Sequence, residues 1–245
     1  MPTEQERARF FAQVNDAHDD FVARFPGDGG RRQPTHVVYG GMHLFTAETP
    51  RKLGQLAQTQ LSTFAPDAQR LAAIFELSPA IAPELFAKVT EKLRTEPVED
   101  YRIDAEDGYG HRSDRDEDEH ATAAGRQVRR LFREGAPPPF FGLRLKPLSK
   151  DLAPRALRTL ERFLDGLTEG DERVPRGFLI TLPKVTSPSQ LTALAELLDV
   201  IERERRLDPG TFRLEAMIES GPGLLDEDGR CSLAAFPRAA KGRLF

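Results

Sequence analysis

From Thr35 onward, short apolar runs alternate with longer amphipathic segments, and each run ends in polar or charged residues. The runs are His36–Tyr39, Tyr101–Ile103, Phe140–Lys146, Gly177–Leu182 and the stretch Leu214-Glu215-Ala216-Met217-Ile218-Glu219-Ser220. Helices between strands imply parallel pairing, with helices covering the outside of the sheet. That leaves two α/β architectures, a doubly wound sheet or a (β/α) barrel. No GxGxxG opens a helix after a strand and no GxxxxGK[ST] occurs, so a nucleotide-binding sheet has no support. Polar residues gather at strand exits throughout, as in a barrel that builds its site at the C-terminal ends of its strands. Five strands are complete, and Gly242-Arg243-Leu244-Phe245 reads as the opening of a sixth. A regular barrel needs eight strands in about 250 residues. The expected fold is an incomplete TIM-type (β/α) barrel with five to six of eight strands, and an uncovered sheet edge. Its expected domains are a helical extension over residues 1–30 and the partial barrel over 31–245.

The helical pattern is explicit. Phe10, Val14, Phe21 and Phe25 mark one face of a helix over residues 4–25, and a break follows at Pro26-Gly27-Asp28-Gly29-Gly30. Leu53, Leu56 and Leu61 mark a second helix, with further segments over 67–77 and 83–93. A polar helix over 116–132 is acidic first and basic last, the favourable sense for its dipole. Leu157, Leu160, Leu164 and Leu167 form one stripe of a helix over 153–167. Ser187-Pro188-Ser189-Gln190 has the form of a capping box ahead of Leu191, Leu194, Leu198 and Ile201. A short helix is expected over 233–239.

Charge and cysteine content narrow the function classes. The net charge is -4, and the basic runs Arg126/Arg129/Arg130 and Arg203/Arg205/Arg206 sit among acids, so no nucleic-acid partner is expected. Cys231 is the one cysteine, which excludes an internal disulfide and a thiolate cluster and suits a reducing compartment. No apolar run reaches the roughly 18 residues of a membrane span, and the N-terminus lacks a signal-like stretch. The expectation is a cytoplasmic protein with no membrane partner.

The strand exits hold the candidate chemistry. Glu219 stands as a ligand for a divalent cation. Asp104, Glu106 and Asp107 would supply a further ligand or a base. Arg144 would fork onto a substrate carboxylate, and Lys184 would add positive charge beside it. Oxygen donors without thiolates favour Mg²⁺ or Mn²⁺, and such an ion beside an arginine can stabilise an enolate. Each assignment has a structural rival. Glu219 could cap the turn at Gly221, and the three acids need not converge, because alternate residues face opposite sides of a strand. Arg144 and Lys146 could be solvated charges at a barrel mouth, and Lys184 could belong to an ordinary turn. His36 and His43 flank the first strand exit as general-base candidates, with a structural role the rival. Cys231 has no partner histidine to make it a nucleophile.

The segments RIDAEDGYG, FGLRLKPL, LITLPKV and LEAMIES, in that order, resemble the HpcH/HpaI aldolase and citrate lyase beta-subunit family of phosphoenolpyruvate/pyruvate-type barrels, most closely an uncharacterised aldolase-like branch. The resemblance implies metal-dependent carbon–carbon cleavage or formation through a pyruvate-like enolate, on a 2-oxo acid or an acyl-CoA. It implies that Arg144 contacts the substrate oxygens, that Glu219 ligates Mg²⁺, and that Asp104, Glu106 and Asp107 sit beside the ion. Lys184 matches the lysine of the family's PK pair. The family's second metal ligand is an aspartate past the sixth strand, a position beyond Phe245. A defective or shortened relative with a binding role, and a malate-synthase-like condensation on an acyl-CoA, are the alternatives. A homo-oligomer is compatible with either.

Overall fold

The computed structural model describes residues 2–25, 27, 30, 32–135, 137–170, 174–175 and 177–245. The chain divides into two units, Met1–Pro34 and Thr35–Phe245. Pro26, Asp28 and Gly29 of the expected break, and Arg31 at the start of the expected barrel domain, lie outside the described residues.

The first unit is the helix α1, Glu4–Arg24. Thr3 caps it through a reciprocal box with Glu6, which satisfies two otherwise orphaned amides. The expected apolar stripe is present, and Phe10, Val14, Phe21 and Phe25 along it are exposed.

The second unit carries five parallel strands: β1 Val38–Gly41, β2 Asp100–Asp104, β3 Phe140–Arg144, β4 Phe178–Leu182 and β5 Phe212–Ala216. They lie in the order β1-β2-β3-β4-β5, each beside its sequence neighbour. A doubly wound sheet would reverse direction at a switch point. Monotonic order is the winding of a (β/α) barrel, here incomplete. Leu244 makes a parallel bridge to Leu214. The Leu214 amide donates to the Arg243 carbonyl at 2.8 Å, and the Phe245 amide to that of Leu214 at 2.9 Å. The GRLF segment thus begins to pair along β5 as a sixth strand would. Arg243 secures it, donating at 2.8 and 2.7 Å to the buried Glu202 and at 2.9 Å to the Phe212 carbonyl.

Three helices fill the β1–β2 connection: α2 Thr49–Phe64, α3 Ala68–Phe75 and α4 Ala82–Thr95. Single helices then link successive strands: α5 Asp114–Glu134, α6 Ala153–Leu167 and α7 Pro188–Glu204. The capping box at Ser187 and Gln190 is formed. Short turns of helix follow at α8 Gly221–Leu224 and α9 Phe236–Ala239, the latter after a 3-10 turn at Leu233–Ala235.

Period-two alternation divides the sheet into two faces. Tyr101, Ile103, Phe141, Leu143, Phe178, Ile180, Leu182, Phe212 and Leu214 face the helices and form the core. The alternate residues form the inner face, among them Tyr39, Asp100, Arg102, Asp104, Gly142, Arg144, Leu179, Thr181 and Glu215.

Three strand expectations are corrected. β3 ends at Arg144, two residues short of Lys146. β1 starts two residues later than His36, and Gly40 and Gly41 belong to it rather than to the turn. Gly40 is required there because a Cβ would collide with the Tyr101 hydroxyl. β5 begins at Phe212, whose amide donates to Glu202 at 2.9 Å, and ends at Ala216. Met217 to Ser220 therefore lie past the strand.

Candidate functional site at the strand ends

Asp104 closes β2, and its register partner Arg144 closes β3. Parallel pairing puts both on the inner face at the C-terminal ends of their strands. The guanidinium meets the carboxylate in a fork: Arg144 Nε donates to Oδ1 at 2.8 Å and Nη2 donates to Oδ2. The exit loop folds back on the same carboxylate. The Glu106 amide donates to Oδ1 at 2.9 Å and the Gly108 amide to Oδ2 at 2.7 Å. Four donors occupy the roughly four lone-pair positions of a carboxylate. Burial alone raises the Asp104 carboxyl, but Arg144 and the two amides more than reverse this and hold it below the usual range. The Arg144 guanidinium lies over the Tyr39 ring, 4.6 Å from its centre.

Glu106 and Lys184 extend the cluster. Glu106 Oε2 is buried without a hydrogen bond, with Arg144 Nη1 3.4 Å away as its counter-charge. Lys184 Nζ donates to Glu106 Oε1 and lies 3.2 Å from Asp107 Oδ1. Its Glu106 bond, followed by Asp107, raises the Lys184 ammonium above its usual value. The Lys184 amide donates to Glu219 Oε1 at 2.9 Å. Lys184 holds a left-handed backbone, φ +51°, uncommon for a residue with a side chain.

All six expected site residues therefore belong to one end of the sheet, joined through Glu106 and Lys184. Their contacts are with one another and with the loop backbone. Asp104 is saturated by protein donors, so it presents no oxygen to a cation. Glu219 is exposed and sits in the turn past β5, holding the Lys184 amide rather than crowning a strand tip. Among the described residues, no group of three or more His, Cys, Asp or Glu side chains could hold a metal ion. The donor set as arranged does not fit the expected Mg²⁺ or Mn²⁺.

Lys146 leaves the cluster. Its ammonium donates to the Ala105 carbonyl at 2.6 Å and to Glu117 of α5 at 2.5 Å, and burial pulls it below its usual range. His36 accepts from the Glu99 amide at 3.5 Å, at the opposite end of β2. His43 packs beside the exit loop near Tyr109.

A deeper polar layer went unread in the sequence. Arg102 is fully buried and reaches past Gly142 on the intervening strand to β4 and β5. A Cβ at Gly142 would collide with the Leu179 carbonyl. Arg102 donates to Asp100, to Thr181 at 3.2 Å and to Glu215 at 3.3 Å, while Thr181 donates to Glu215 at 2.6 Å. Asp100 Oδ2 and Arg102 Nη2 have no hydrogen-bond partner. Burial, opposed by Arg102, pushes the Asp100 carboxyl up to about 6. The signal was the charge at every second position of Asp100–Asp104, a spacing that puts all three on one face.

Among the described residues, no helix is long and apolar enough to cross a membrane. A search of curated proteins finds no match. The family described as Domain of unknown function (DUF6986) matches residues 14–245, nearly the whole chain and the entire sheet that presents the cluster. The chain belongs to that family.

Proposed function

We propose that this chain has a binding role built on a (β/α)-barrel scaffold, and that its strand-end cluster performs no carbon–carbon lyase chemistry as arranged. The observation that carries this reading is the saturation of Asp104: Arg144 and two loop amides take both of its oxygens. A lyase of the expected kind needs that carboxylate open to an ion or to a substrate proton. The reachable group is instead Lys184, exposed at the rim and backed by Glu106 and Asp107. A small carboxylate would meet the Lys184 ammonium and the outer edge of Arg144 by displacing an acid partner. The partner class is thus a small carboxylate, with an acyl-CoA as the larger variant, in a cytoplasmic setting.

One observation favours the metal-dependent aldolase reading as the second choice. Four carboxylates, Asp104, Glu106, Asp107 and Glu219, lie at the same strand ends as two cations, Arg144 and Lys184. A divalent cation would neutralise that excess of negative charge.

The test is a turnover screen with 4-hydroxy-2-oxo acids and acyl-CoA thioesters, with Mg²⁺ or Mn²⁺, beside ligand-observed NMR with pyruvate. The expected result is no product, with pyruvate binding lost in Lys184→Ala. Metal-dependent product formation that Glu219→Gln abolishes would replace the binding reading with the lyase.

A further inference from the structure

We infer that His43, Tyr109 and His120 form an acid-sensitive latch on the loop that carries Glu106 and Asp107. Tyr109 sits at the end of that loop and is buried. Its hydroxyl is 2.9 Å from His120 Nδ1 on α5. The His43 and His120 rings stand edge-on to it, with centres 5.5 and 5.7 Å away, and lie 6.0 Å from each other. Three separate segments meet in this cluster: the turn after β1, the β2 exit loop and α5. Within the loop, the Tyr109 and Gly110 amides both donate to the Glu106 carbonyl at 3.0 Å. Holding Tyr109 in place therefore holds the geometry of Glu106, and with it the contact to Lys184.

The surroundings favour a neutral imidazole at His43. Arg112 lies 5.1 Å and Lys146 5.2 Å from the Tyr109 ring centre. Of the nearby acids, Glu117 already accepts from Lys146 at 2.5 Å, from Arg155 at 2.6 Å and from Thr159. Asp116 accepts from the Ser113 hydroxyl at 2.8 Å. His43 Nδ1 is buried without a hydrogen-bond partner. A proton on either imidazole adds a third positive charge around one buried ring. A second proton places two imidazolium rings side by side. Burial, then Arg112 and His120, hold His43 below its usual value in the closed loop. The open loop binds the proton more readily, so opening grows as pH falls through about 6.5. Acid then frees Glu106 and Asp107 from their fixed positions and loosens their hold on Lys184.

Amide hydrogen exchange of Tyr109 and Gly110 tests the latch, corrected for intrinsic pH dependence and referenced to amides of β4. Between pH 7.5 and 5.5 the opening constant in the wild type is expected to rise by up to about tenfold per pH unit for one linked proton. The double variant His43→Asn with His120→Asn is expected to show a flat profile. An equal acid rise in that variant, or a flat profile in the wild type, overturns the latch. If the double variant does not fold, an NMR titration of the wild-type histidine Cε1 protons replaces it. Loop opening must then follow the titration of His43 or His120, and a midpoint unrelated to both overturns the inference.

Discussion

Arg102 and Arg144 lie on the same face of neighbouring strands and meet their acids in opposite ways. Arg144 is almost fully matched: a two-point fork on Asp104, backed by two loop amides, with its face on Tyr39. Arg102 lies deeper, is shared between Asp100, Thr181 and Glu215, and still leaves Nη2 without an acceptor. The contrast shows how the sheet distributes polar burial. The outer pair is satisfied by a loop that folds over it, whereas the inner pair depends on side chains alone. An unsatisfied buried charge carries a desolvation cost that a matched one does not.

This contrast orders the expected effects of substitution. Arg102→Ala strands Asp100 without its counter-charge and should cost about 3–5 kcal/mol in chemical unfolding. A loss below that of Arg144→Ala would reverse the assignment of the two layers. Arg144→Ala leaves the buried Asp104 with both loop amides still donating to it, so a smaller loss of about 1–3 kcal/mol is expected in the same measurement.

Acid titration separates the layers further. The Asp100 carboxyl is raised from 3.8 to about 6 in the fold, so the folded state binds the extra proton between those values. This group's contribution is full below about pH 4 and is lost as pH rises through 6, by at most about 1.4 kcal/mol per pH unit. Asp104 is held below its usual value, so its contribution is present at neutral pH and is lost as pH falls below about 4. Subtracting the stability profile of Asp100→Asn from that of the wild type should expose the first trend. A difference that does not change between pH 4 and 6 would remove Asp100 from the account. The smallest effect belongs to the rim: Lys184→Ala should change unfolding stability by about 0–1 kcal/mol, because the lost ammonium is exposed and Arg144 stays beside Glu106.

Much of this arrangement could be read from residue order. The parallel strands, the linking helices from Asp114 onward and the capping box at Ser187 follow from periodicity and local capping chemistry. So does the gathering of Asp104, Glu106, Asp107, Arg144, Lys184 and Glu219 at one end, because parallel strands place their exits together. The partners of each charge could not be read this way. Asp104 looked like a ligand because nothing local reveals that Arg144, forty residues on, falls opposite it in register. Glu219 looked like a strand tip because the apolar run Met217–Ile218 hides the end of β5 at Ala216. Nothing local to the strand marks Arg102 as buried. Its partners Thr181 and Glu215 come from two other strands.

The binding reading rests on both oxygens of Asp104 being taken by the protein's own donors. Isothermal titration of the wild type with Mg²⁺ and Mn²⁺, with Glu219→Gln and Asp104→Asn in parallel, tests this most directly. The expected result is no saturable binding in any of the three proteins. Saturable binding by the wild type, weakened in both variants, would contradict it.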